Sequence, residues 1–147
     1  MKITYKCDYA LKAVLDLSLH YQEGEPVTIH SLAGRIDAPV KFLERILSDL
    51  KHGGLVESKR GRIGGYLLAK APRQITVGDV VRLIEGPIEP ISCVKPFYAD
   101  CRETYQCVFR RIWQDVSRVT SEIIDGMDFE KLASEADPVQ EALLYSI

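Results

Sequence analysis

Apolar side chains recur every three or four residues in five stretches of this chain, and two short strand-like runs separate the third stretch from the fourth. Tyr9, Ala10, Ala13, Val14, Leu17 and Tyr21 predict a helix over residues 8–22, ended by Gly24-Glu25-Pro26. Thr28 has the side chain of an N-cap for a short helix from Ile29 to Arg35, with Ile29, Leu32 and Ala33 inward. A tight turn at Ile36-Asp37-Ala38 follows. Asp37 is the expected cap of a longer helix that has Pro39 in its first turn and runs to about Lys51. Its buried stripe is Leu43, Ile46, Leu47 and Leu50, and His52-Gly53-Gly54 stops it.

Leu55 to Ser58 and Tyr66 to Ala69 read as strands, joined by the glycine-rich basic loop Lys59-Arg60-Gly61-Arg62-Ile63-Gly64-Gly65. Thr76 and Asp79 form the pattern of a capping box for a helix carrying Val77, Val80, Val81 and Ile84 up to Gly86-Pro87. No period is visible from Gly86 to about Asp100, where Pro87, Pro90 and Pro96 cluster. Val108, Ile112, Val116, Val119 and Ile123 then predict a long helix from about Arg102 to Asp125, ended by Gly126. Nothing later in the chain is apolar enough to cover that stripe, so a second copy of the chain is expected against it. Met127 to Ala136 reads as one more short helix.

Short helix, turn, longer helix and glycine-tipped hairpin is the order of a winged helix-turn-helix. The expected fold is therefore mainly α with a small β-hairpin wing, plus a long dimerisation helix. The expected division is a DNA-binding domain over 1–85, a cysteine-bearing loop over 86–107, a dimerisation helix over 102–126 and a C-terminal helix and tail over 127–147. In such a fold the second helix enters the major groove. Opposite the buried stripe it presents Lys41, Arg45 and Ser48, which can donate to phosphates or base edges. Lys59, Arg60 and Arg62 put positive charge at the wing tip, where a duplex backbone would pass. A solvated helix face and a hairpin made soluble by its charges are the plain alternatives.

The net charge of −2 does not suggest a nucleic-acid partner, but its distribution does. Residues 1–73 carry 12 Lys+Arg against 8 Asp+Glu, while residues 74–147 carry 7 against 13. The composition, 46% hydrophobic and 27% charged over 147 residues, is that of a globular protein of about one domain. No apolar run approaches a membrane span and the N-terminus lacks a signal peptide's apolar stretch, so no membrane partner and a cytoplasmic location are expected. In a reducing compartment the four cysteines favour metal, cluster or redox chemistry over structural disulfides. Three of them, Cys93, Cys101 and Cys107, fall in the proline-broken loop.

The stretch LERILSDLKHGGLVESKRGRIGGYLL from Leu43 to Leu68 resembles the reading helix and wing of the IscR/NsrR/CymR family of bacterial regulators. Gly-Leu-Val followed by Arg-Gly-x-x-Gly-Gly-Tyr is its specific part. DYALKAVLDLS and ITVGDVVRLIEGPI resemble the family's first helix and the segment before its cluster loop, so that the likeness spans residues 1–126. It implies a homodimeric winged-helix transcription factor, not an enzyme, that binds an imperfect palindrome in double-stranded DNA. Groove contacts would fall on Lys41, Phe42, Glu44 and Arg45, with Thr28 and Ser48 nearby. The wing contact would fall on Arg60, near Gly64 and Gly65. Glu44 would accept from a cytosine amino group rather than hold phosphate.

The resemblance further implies the iron–sulfur branch, with a cluster of the 2Fe–2S or 4Fe–4S type on Cys93, Cys101 and Cys107, sensing redox, nitric oxide or iron–sulfur status. Seven residues separate Cys93 from Cys101, a longer interval than is common in relatives, while the five between Cys101 and Cys107 agree. Where some relatives have a histidine three positions after the last cysteine, this chain has Arg110. Asp8 matches the acidic fourth ligand of others, with Cys7 as its neighbour and alternative. The other readings are a clusterless regulator controlled by a partner protein or by thiol oxidation, and a thiol oxidoreductase, for which no C-x-x-C motif or catalytic base is present.

Overall fold

A computed structural model describes residues 2–102 and 106–136 of the chain. Helix α1 (Tyr5–Leu19) starts earlier than the apolar period suggests, because Thr4 caps it: its hydroxyl accepts from the Cys7 N–H at 3.3 Å. Its first turn, with exposed Tyr5 and half-buried Lys6, lies ahead of the stripe. A 3-10 turn over Tyr21–Glu23 ends at Gly24, whose φ of 69° suits a residue without Cβ. Helix α2 (Ile29–Ile36) is capped by Thr28 as expected, the hydroxyl accepting from Ser31 N–H at 3.2 Å.

Asp37 does not cap the next helix. It ends α2 in the left-handed region with φ 52°, its N–H donating to the Ala33 carbonyl, a conformation that Asp tolerates better than most side chains. Pro39 itself holds the N-cap position of helix α3 (Val40–His52), which has no side-chain cap. Leu43, Ile46, Leu47 and Leu50 are all fully buried.

Strands β1 (Val56–Lys59) and β2 (Gly65–Leu68) pair antiparallel, with Val56 opposite Leu68 and Lys59 opposite Gly65, one residue displaced from the sequence expectation. Val27 adds a bridge to Tyr66, donating at 2.9 Å and accepting at 2.8 Å, so the hairpin is anchored to the chain entering α2. Any Cβ on Gly65 would strike the Val27 carbonyl, which is why glycine stands at the root of the wing.

Helix α4 (Val77–Glu85) begins with the capping box read from the sequence: Asp79 N–H donates to Thr76 Oγ1 at 3.1 Å and Thr76 N–H to the Asp79 carboxylate at 2.9 Å. The cysteine loop contains a 3-10 turn, Ser92–Val94. Helix α5 (Val108–Asp125) starts later than expected; residues 103–105 of the predicted helix lie outside the described residues. After it the chain returns to the head. Phe129 N–H donates to Ile75 at 3.0 Å and Val77 N–H to Met127 at 2.9 Å. The Phe129 side chain, 1% exposed, joins the main core as helix α6 (residues 129–136) begins. The rest of the expected C-terminal tail, 137–147, lies outside the described residues. Among the described residues no helix is long and apolar enough to cross a membrane.

Candidate nucleic-acid interface and thiol loop

Lys41, Glu44, Arg45 and Ser48 are exposed along one side of α3, opposite its buried stripe. Phe42 is half-buried and committed to packing, its ring meeting Tyr9 edge-on at 5.7 Å between centroids. Lys59, Arg60 and Arg62 are exposed around Gly61, whose φ of 139° turns the wing tip, and Ile63 beside them is 73% exposed. Lys51 Nζ donates to Ser58 Oγ at 2.7 Å, tying the end of α3 to the wing. Thr28, exposed at the N-terminus of α2, lies where that helix offers unpaired N–H groups. The basic positions expected on α3 and on the wing are thus all exposed to solvent.

Sequence reasoning missed a residue from another element. Lys6, in the first turn of α1, forms an ion pair with Asp49 of α3 at 2.6 Å and lines a shallow hollow with Glu44, Arg45 and Ser48. No local signal could have found it, because the partners lie far apart in the chain. A second long-range link sits nearby. The Thr4 hydroxyl and N–H both donate to Glu85 Oε1, at 2.5 and 2.9 Å. The hydroxyl first and the N–H second hold that carboxyl below its ordinary value. Glu85 is the last residue of α4, one position before the cysteine loop begins at Gly86.

The four cysteines sit in different surroundings. Cys7 is wholly buried with Val81 and Ile88, beside Leu11, Val77 and Ile84. Burial, and then the negative charges of Glu85 and Asp8, push its thiol up to about 11, so it is not a ready thiolate ligand in this conformation. Cys93 lies half-exposed in the 3-10 turn, Cys101 is exposed, and Cys107 occupies the N-cap position of α5. Asp8, half-exposed, pairs with Lys12 at 2.7 Å.

Thiolates are a donor set that iron–sulfur clusters take. Yet among the described residues no three His, Cys, Asp or Glu side chains gather closely enough to hold a metal ion. Cys93, Cys101, Cys107 and Asp8 are therefore not assembled within one chain as it stands.

A buried three-helix head with a basic reading helix and a glycine-rooted wing defines a winged-helix DNA-binding protein. The model of the Rrf2 family, described as iron-dependent transcriptional regulators, matches residues 3–135, and the chain belongs to that family. It is 38% identical over 147 residues to a putative rrf2-like HTH-type regulator of Rhodobacter capsulatus, covering 96% of this chain and 98% of that one. To the HTH-type regulator CymR of Bacillus subtilis it is 35% identical over the whole of both chains. The solved CymR structure, titled the global cysteine regulator of that organism, superposes with a TM-score of 0.77 at 32% identity, covering 92% of this chain and 98% of that one. T. potens IscR superposes with a TM-score of 0.76 at 31% identity, covering 95% and 91%. The chain is a DNA-binding transcriptional regulator of the Rrf2 family.

Proposed function

We propose that this regulator works as a homodimer that reads an imperfect palindrome with α3 and the wing, and that chemistry at Cys93, Cys101 and Cys107 sets its grip. The leading form is an iron–sulfur cluster on these three thiols, with Asp8 of the partner subunit as the fourth ligand. The observation that carries the reading is the place of Cys107. As the N-cap of α5 it ties the last sensor thiol to the helix whose exposed apolar stripe calls for a second copy. Lys41, Arg45 and Ser48 would face the groove and Lys59, Arg60 and Arg62 the backbone, with Glu44 reading a base amino group and Gly64 and Gly65 admitting the duplex.

A bound cluster supplies reversible redox and ligand-exchange chemistry. The chain's part is to turn a change in the loop into a change in α3. The loop leaves α4 at Glu85, Glu85 holds Thr4, and two residues on, Lys6 holds Asp49 of the reading helix. These contacts lead from the start of the sensor loop to the reading helix, and through them two states of different DNA affinity would be coupled.

Protein prepared without oxygen should be coloured, with iron and acid-labile sulfide in comparable amounts, and Cys93→Ser should remove both. A colourless preparation without iron would overturn the cluster. A second reading, regulation by thiol oxidation or a partner protein without a cluster, draws on the ungathered thiols and on the full-length match to CymR. Iron and sulfide analysis of the wild type separates the two: protein that holds neither, yet loses its regulation by peroxide when all three loop cysteines are replaced with serine, favours the second.

A further inference from the structure

Helix α5 has two opposite sides. Val108, Ile112, Val116, Val119 and Ile123 form the exposed apolar one. About half a turn away stand Arg110 and Ser117, roughly two turns apart on one line. Each donates to a carbonyl of the cysteine loop, Arg110 Nε to Cys93 at 2.8 Å and Ser117 Oγ to Ile88 at 2.7 Å, in partly buried surroundings. The segment from Ile88 to Cys93 therefore runs antiparallel along α5 and delivers Cys93 to the end of the helix that Cys107 caps. Pro90 lies between the two fastenings, so the segment has little freedom of its own to reach that place.

A guanidinium has no lone pair for a metal and keeps its proton. Towards the loop it can act only as a donor, and a charged donor makes the stronger kind of hydrogen bond. The pairing is to a backbone carbonyl, so it fixes where the chain runs without occupying the thiol.

We infer that Arg110 is a positioning residue of the sensor loop, bracing the Cys93 turn against the first turn of α5 so that Cys93 and Cys107 are presented at the same helix end. The inference rests on the reading of this loop as a thiol sensor. It adds that the register of the first sulfur is set by α5, and hence that movement of α5 moves Cys93.

The test is pulse labelling of reduced, metal-free protein with N-ethylmaleimide, followed by mass spectrometry at each cysteine. In Arg110→Ala, Cys93 should label about three- to tenfold faster than in the wild type, the effect of losing one charged-donor hydrogen bond. Cys101 should label at an unchanged rate. Equal Cys93 rates in the two proteins overturn the inference. Should Arg110→Ala fail to fold by circular dichroism, Arg110→Lys makes the same comparison, since its ammonium keeps the charge but not the Nε donor. A second readout is the visible absorbance of oxygen-free protein after adding a chelator, which should decay faster in the variant. If the wild type binds no iron or sulfide, the cluster reading fails and the labelling rates still decide the brace. If the wild type holds a cluster but both proteins label alike, only the brace fails.

Discussion

Leu43, Ile46, Leu47 and Leu50 of α3 are fully buried, whereas Val108, Ile112, Val116 and Ile123 of α5, spaced in much the same way, stand 42% to 73% exposed. Among the described residues, one apolar stripe is closed by its own chain and the other is not. In the head, α1, α2, the hairpin, Ile75 and Phe129 surround the stripe from several directions. Helix α5 has no fully buried residue, and hydrogen bonds at Ile88 and Cys93 fasten the loop to its inner side. A periodic pattern states that a face must be covered. It does not state by what.

The contrast can be broken from either side. Leu47→Ala should cost the head about 2–5 kcal/mol, read as a fall in the thermal or denaturant midpoint, since it opens a cavity where nothing can collapse. Val116→Asp should behave oppositely: circular dichroism keeps its helical signal, while sedimentation shows monomers in place of dimers. A loss of about 2 kcal/mol or more in association is expected of Val116 as a central residue of the proposed dimer interface. A destabilised head in Val116→Asp, or an unchanged sedimentation coefficient, would show that the two faces are not different in kind. Within the head, Arg60→Ala should weaken binding evenly across DNA sequences and lower the salt slope by about one, as loss of a single phosphate contact does.

The smallest effect tests the joint between the regions. The folded Cys7 thiol keeps its proton up to about pH 11, above its ordinary value of 9.0. Between these values the unfolded chain binds fewer protons, so stability falls as pH rises from 9 towards 11. Cys7→Ala should lose that part of the slope and keep the rest, as seen in thermal midpoints measured across this range.

Much of the head was legible because its signals are local. Thr28, the Thr76–Asp79 box and the stripe of α3 act within a few residues, and they formed as their side chains dictate. Asp37 misled because an Asp before a helix also suits the left-handed end of the one preceding it. The first turn of α1 was missed because exposed Tyr5 and half-buried Lys6 carry no apolar period. In the site, the types of residue on α3 and the wing could be read, but their supports could not. Lys6 with Asp49, Thr4 with Glu85 and Arg110 with Cys93 are tertiary pairs, and a single sequence has no term for them.

Cys7 also gives the chain a built-in gauge. Enclosed between α1, Val81 of α4 and Ile88 at the start of the loop, its sulfur meets a dissolved reagent only when those elements part. The joint that opens is the one closed by Thr4 and Glu85, on the way from the loop to the reading helix. The rate at which Cys7 becomes reactive therefore clocks how often α1, α4 and the start of the loop separate, with no probe attached. A signal that loosened the regulator's hold on DNA through this joint would quicken the clock, and one that acted on DNA contacts alone would leave it running as before.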